Sequence, residues 1–373
     1  MKVLILDSTF ACRGIYDSLI TLGHSVFTIG NRKDDFFACN NSDKHFFCDY
    51  SDYQLVAGVI HDNDINAIIP GCTDASLDTF HKLRPTGGSQ TLKNIVDLCL
   101  NKGELYSFFT ECEVRCPPEY RDGDISHVVI VKPVDSFSGR GITVVDSKDR
   151  SRLDAARKYA VSNSESGEAT TNTYIDGQLI SFSVVMCDDY LHFISCVKEY
   201  CIQDKFKVDA SYCVDPEVFL DDDRLIEDLN KIRRNLKIRQ PIFLHFQCIK
   251  TEFETYFIEM MMRHPGDLYS SLVQQSTGVL YSELYAATFL DGQNSDMYSV
   301  NLQNIKPIIR LTLCSKAPFN GFQFRTNNVE SVEIVPLKST GDTLDSNARV
   351  GIAFMHVKTK SCLETYIKAL ENG

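Results

Sequence analysis

The chain has 373 residues, 43% hydrophobic and 24% charged, with a mean hydropathy of −0.15. At roughly 150 residues per domain this is the composition of an ordinary globular protein of about two to three domains, not a disordered or fibrous one. The 38 Lys and Arg against 50 Asp and Glu give a net charge of −12, which argues against nucleic acid or an anionic membrane surface as the main partner.

No run approaches the roughly 18 apolar residues of a membrane span. The N-terminal stretch from Met1 to Asp7 is too short for the apolar core of a signal peptide and has no small-residue cleavage site after it. A cytoplasmic protein with reduced thiols is expected. The 14 Cys lack CxxC pairs, and most read as small apolar residues.

In chain order, residues 2–7 predict a strand, and Ile15, Leu19, Ile20 and Leu22 an apolar helix face closed by Gly23. A second strand follows at 25–29, then a loop at 49–52. Leu55, Val56, Val59 and Ile60 predict a helix, and residues 67–69 a strand ending at Pro70-Gly71. This alternation implies an open parallel sheet with helices on both faces. Between Asp7 and Gly14 only one glycine stands where a dinucleotide-binding turn needs three, so a dehydrogenase reading is weak.

A helix is predicted over 92–110, ended by Cys116-Pro117-Pro118. Residues 128–132 and 142–145 predict two strands, and 180–187 and 192–198 a neighbouring pair. Asp221 to Asp223 opens a helix whose last turns carry Lys231, Arg233, Arg234 and Lys237. Acids first and bases last suit the helix dipole, which favours a solvated helix over a polyanion site. Residues 242–249 and 255–260 read as a hairpin, with helices at 268–276 and 282–289 after it. The last 80 or so residues are strand-rich, with a final helix near 363–370.

Two segments carry chemistry. Val128 to Ile142 is a buried strand ending in Lys132, then a loop of small residues. A lysine at a strand end supplies positive charge, while Ser136, Ser138, Gly139 and Gly141 let backbone N–H groups approach phosphate oxygens. In Phe257-Ile258-Glu259-Met260-Met261-Met262-Arg263, period-2 alternation puts Glu259, Met261 and Arg263 on one face. The hairpin brings Gln247 opposite Glu259, an oxygen pair suited to Mg²⁺.

These segments resemble the ATP-grasp superfamily, in the carboxylate-amine ligase branch related to biotin carboxylase and carbamoyl-phosphate synthase. Asp49-Tyr50-Ser51-Asp52 and Ile68 to Asp74 are similar to recurring segments of the family's first domain, and Asn101-Lys102-Gly103 to its entry into the nucleotide-binding half. The resemblance implies an N-terminal open parallel sheet, α/β in class, over residues 1–95 and a helical connection over 96–127. An α+β ATP-grasp fold follows, its lid subdomain at 128–185 and its metal-binding subdomain and C-terminal extension at 186–373.

The resemblance further implies ATP and Mg²⁺ (or Mn²⁺) as cofactors, with a small carboxylate and an amine joined through an acyl phosphate. Lys102, Lys132, Ser136, Ser138, Gly139, Arg140 and Gly141 would bind the phosphates, and Thr173 and Ile175 the adenine through their backbones. Gln247 and Glu259 would hold the metal, and Arg263 with Lys132 would be catalytic. Homodimers are common in the superfamily.

Three positions depart from the pattern. Gln247 stands where many members have Glu. Met261 replaces a metal-binding Asn, and a thioether is a poor ligand for a hard cation. Asn172 to Ile175 brings no hinge acid, and Leu179 stands where an acid is common. The competing reading is an ATP-grasp protein that binds nucleotide without ligating. His264, Asp267, Arg310 and Arg325 are further candidates for a substrate carboxylate.

Overall fold

The computed structural model describes all residues except 84–89, 125–127, 137–138, 218–221, 291–294, 316–320, 323–327, 339–347 and 372–373. Among the described residues the strands form three sheets. The first is parallel, in the order β3 (His45–Phe47), β2 (Ser25–Gly30), β1 (Lys2–Leu6), β4 (Ala67–Pro70). Val3 to Leu6 are fully buried because helices cover both faces, the condition under which a parallel strand reads as a continuous apolar run. In the helix Arg13–Thr21 only Ile15 and Leu19 are buried; Ile20 and Leu22 face solvent. Leu55, expected on the apolar face of Tyr53–Asp62, is likewise exposed, and Val56 carries that contact.

The helix predicted over 92–110 is two helices, Gln90–Leu100 and Lys102–Glu111. The break is chemical. Asn101 leaves the helical region, and its side-chain oxygen accepts the N–H groups of Gly103 (2.9 Å) and Glu104 (3.1 Å), as an N-cap does. This cap starts the helix on Lys102, whose backbone N–H also donates to Val134 O at 2.8 Å. Asn101→Ala is expected to lower stability by about 1 kcal/mol in a denaturant titration, and Asn101→Asp to keep most of it.

The second sheet is antiparallel, with β5 (Val128–Pro133) between β6 (Thr143–Asp146) and β7 (Ala169–Thr173). Leu153, Ala156 and Ala160 of the helix Arg150–Ser162 pack on it. The third sheet has eight strands in the order β12 (Thr255–Met261), β11 (Ile242–Lys250), β8 (Gln178–Met186), β9 (Leu191–Tyr200), β10 (Ala210–Cys213), β13 (Ile308–Ser315), β15 (Ala348–Val357), β14 (Val329–Pro336). Because β8 belongs here, the lid's own sheet closes at Thr173.

The helix Asp223–Leu236 lays Leu225, Leu229, Ile232 and Leu236 on the core. Two of its bases are spent locally. Lys231 donates to Glu113 O at 2.9 Å and Arg233 to Cys187 O at 2.9 Å, as a structural helix requires. No helix among the described residues is long and apolar enough to cross a membrane.

Candidate active site in the cleft between lid and large sheet

A cleft of about 560 Å³ opens between the lid sheet and the eight-stranded sheet. Lys102, Lys132, Ser136, Gly139, Arg140, Thr173, Ile175, Gln247, Glu259 and Arg263 all line it. Its size falls within the several hundred Å³ typical of small-molecule sites. Ser138 lies outside the described residues, and Gly141 is placed just behind the lining, packed on Pro133 and Asn163.

The hairpin of β11 and β12 aligns Gln247 with Glu259 as direct partners, and a bulge at Gln247/Cys248 shifts the register beyond them. Gln247 Nε2 donates to Glu199 Oε2 at 2.8 Å, which turns the amide oxygen away from that carboxylate. Lys102 Nζ lies 3.4 Å from Glu259 Oε1 and donates to Ser136 O at 2.9 Å. The phosphate-type loop therefore presents a carbonyl to Lys102, where N–H groups alone were expected. The Glu259 carboxylate and the Gln247 amide oxygen, on the paired strands β12 and β11, suit a hard divalent cation, with Glu199 two strands farther on in β9. Met261 lines the same wall, 8% exposed, and adds no hard ligand.

Lys132 is not the plain fixed charge that the sequence suggests. Its ammonium donates to the Tyr106 hydroxyl and sits 4.5 Å from the centre of that ring, while Tyr106 donates to Ile258 O at 3.1 Å. Burial, reinforced by the neighbouring Lys102 charge, pulls the Lys132 pKa down to about 7. Arg263 is held by the Asp74 carboxylate, the first residue of the helix Asp74–Leu83. Burial works against the guanidinium charge, but Asp74, with Glu259 behind it, raises its pKa above the usual value.

Gly139 and Gly141 have φ of +72° and +75°, a region that side chains oppose. A Cβ on Gly139 would come within 2.8 Å of Phe206 O, so the loop rests directly on residues 201–209. That segment adds Lys205, whose ammonium stands 4.6 Å from the Tyr174 ring centre, to the cleft wall. At the hinge, the Thr173 N–H donates to Pro118 O at 2.8 Å and the Tyr174 N–H to Val128 O at 2.9 Å. The Thr173 N–H is therefore committed to the connection before the lid and is not available to an adenine.

The far end of the cleft holds residues less visible in sequence. Glu199 is buried, and its carboxyl pKa is pushed up by that burial despite hydrogen bonds from Ser181 (2.7 Å) and Gln247. Predicting β9 to stop at 198 hid it; the strand runs to Tyr200. Arg310 is 2% exposed, donates from Nε to Asp267 O at 2.9 Å, and its Nη2 has no hydrogen-bond partner. Arg349 Nη1 lies 2.9 Å from Asp267 Oδ1. His264 is fully buried with Nε2 3.0 Å from Ser282 Oγ, outside the cleft lining, and Arg325 lies outside the described residues.

A parallel N-terminal sheet, a small antiparallel lid and a long antiparallel sheet, enclosing a cleft lined by lysines, carboxylates and arginine, make up the ATP-grasp fold. The chain has that fold. It superposes with a TM-score of 0.73 on an L-amino acid ligase from Bacillus licheniformis, at 16% identity, covering 100% of this chain and 97% of that one. Phosphoribosylglycinamide synthetase from Anaerococcus prevotii gives 0.71 at 15% identity, covering 100% and 98%. The biotin carboxylase domain of Hydrogenobacter thermophilus 2-oxoglutarate carboxylase, solved with MgADP, ADP and bicarbonate, gives 0.72 at 15%, covering 99% and 89%. No protein-family model and no curated protein sequence matches the chain.

Proposed function

We propose that the protein is an ATP-dependent ligase that joins a small carboxylate to an amine. The observation that carries this reading is the convergence of Lys102, Lys132, Gln247, Glu259 and Arg263 on one cleft. Similarity in fold to a ligase, a synthetase and a carboxylase supports it. Lys102 and Lys132 bind the nucleotide phosphates, and the Gly139 loop covers them and keeps water out. Gln247 and Glu259 are the residues that would hold Mg²⁺, which when bound screens the phosphate charge.

The substrate carboxylate oxygen attacks the γ-phosphorus and ADP leaves. The amine then attacks the acyl carbon, losing a proton as phosphate departs. Arg263, anchored on Asp74, steadies the charge that develops on the transferring phosphoryl group. Arg310, buried in the cleft wall with its Nη2 making no hydrogen bond and 3.7 Å from Asp267 Oδ2, is the residue we assign to a second carboxylate on the substrate.

ADP release is measured with ATP, Mg²⁺ and pairwise mixtures of amino acids and other small carboxylates. The reading requires release that depends on both acceptors. Release above background in no mixture, and no change on Lys132→Ala, would sink it. Met261 and the missing hinge acids favour a second reading, in which nucleotide binds without ligation. Tight binding of ATP without metal and without turnover supports that alternative. Met261→Asn is expected to raise turnover if the missing ligand alone is limiting; no gain in binding or rate removes the motive for the alternative.

A further inference from the structure

Near Arg263, the segments that follow β1 and β4 bring two cysteines together. Cys12 Sγ lies 3.5 Å from Cys72 Sγ, and His264 Nδ1 lies 3.5 Å from Cys72 Sγ on its other side. We propose that Cys12 and Cys72 are a redox modification site, closing to a reversible disulfide that ties the first turn of the chain to the loop carrying Asp74. The proposal does not depend on the ligase reading.

The two sulfurs differ in a way that suits the chemistry. Cys12 is fully buried, and burial raises its pKa well above that of a free thiol. Cys72 keeps part of its side chain exposed; the hydrogen bond from Cys12, with the adjacent His264, lowers its pKa against the opposing effects of burial and of the Asp7 charge. Tyr281, Tyr285 and Arg263 complete the titratable or charged surroundings. A disulfide needs the sulfurs about 1.5 Å closer, near 2.05 Å.

With hydrogen peroxide as oxidant, the Cys72 thiolate attacks a peroxide oxygen, the O–O bond breaks, and a sulfenic acid and hydroxide form, the hydroxide becoming water with the proton that the Cys72 thiol had released. The Cys12 sulfur then attacks the Cys72 sulfur, the S–O bond breaks, and the hydroxide leaves as water with the Cys12 proton. Two thiols lose two electrons and two protons, and the peroxide becomes two waters. A dithiol reductant reverses the bond.

Asp7, Cys12 and Cys72 also bring three metal-type ligand atoms within 4.8 Å. The carboxylate is already spent. Asp7 Oδ1 accepts the N–H groups of Ser8 (2.7 Å) and Thr9 (3.0 Å), and Oδ2 that of Cys72 (3.0 Å). His264 Nδ1 lies 2.8 Å from Pro265 O, which requires a proton on that nitrogen and removes it as a ligand. The cluster fits a disulfide better than a cation.

The test treats the full-length chain with stoichiometric hydrogen peroxide, blocks remaining thiols under denaturing conditions, and maps peptides without reduction. The expected result is a Cys12–Cys72 linked peptide, two fewer titratable thiols out of 14, and full recovery with dithiothreitol. In Cys12→Ser, dimedone is expected to trap Cys72 as a sulfenic acid; in Cys72→Ser, Cys12 should stay reduced. Iodoacetamide should label Cys72 at least about ten-fold faster than the partly buried Cys99 and Cys116. Oxidation of Cys72 without linkage to Cys12, equal labelling rates, or stoichiometric zinc retained through purification would each overturn the proposal.

Discussion

Glu259→Gln is expected to reduce ATP-dependent ADP release by roughly 100-fold or more while leaving the fold intact. The change keeps the side chain's shape and removes its charge. Its pairing with Lys102 is partly exposed at 3.4 Å, so stability should fall by no more than about 1 kcal/mol. The effect on turnover has a different origin. A metal held by one carboxylate and one amide loses its only strong anionic ligand on that strand pair, because Gln247 is neutral and Met261 offers a thioether. Losing about 3 kcal/mol of charge stabilisation in the transition state corresponds to about two powers of ten in rate. Excess Mg²⁺ should recover part of the activity if the defect is metal affinity. Unchanged turnover with an unchanged dependence on Mg²⁺ would remove Glu259 from the metal role.

The legibility of that residue rests on simple periodicity. A β-hairpin repeats every two residues, so the spacing from Gln247 to Glu259 and the alternation Glu259, Met261, Arg263 were readable without knowing the sheet order. The lysine at the end of β5 and the glycines after it were readable for the same local reason. The cap at Asn101 goes unread, because the long apolar pattern around it reads as one helix and periodicity is nearly preserved across a one-residue break. Residues whose roles depend on which strands become neighbours were not readable. Glu199 on β9 reaches Gln247 on β11 only because β8 alone separates the two strands, and Asp74 reaches Arg263 across nearly two hundred positions of sequence. Tyr106 touches Lys132 only because its helix crosses the lid strand. His264 illustrates the converse: a histidine beside Arg263 looks like a site residue, but the chain leaves β12 after Met261 and turns it into the interior against Ser282.

The burial of Lys132 beside Lys102 also determines how nucleotide binding should respond to pH. In the free protein Lys132 has a pKa of about 7, because burial and the Lys102 charge both penalise its protonated form. A polyphosphate in the cleft reverses that balance and favours the ammonium. At pH 8 the free lysine is about nine-tenths neutral, so ATP binding should take up between about half a proton and one proton. Calorimetric titrations in buffers of different ionisation enthalpy measure this number directly. Lys132→Met should bring it close to zero with weaker binding. Lys132→Arg should also bring it close to zero while retaining more affinity, since a guanidinium stays charged. The same shift has a signature in stability. Because the folded pKa lies below that of the unfolded lysine, the unfolded chain binds more protons between about pH 7 and 10.5. The penalty from Lys132 is therefore full below about pH 7 and is relieved as pH rises through that window, and Lys132→Met should flatten this part of the stability profile. An uptake that is the same in wild type and Lys132→Met would place the titrating group elsewhere, and zero uptake in wild type would mean that Lys132 does not meet the phosphates.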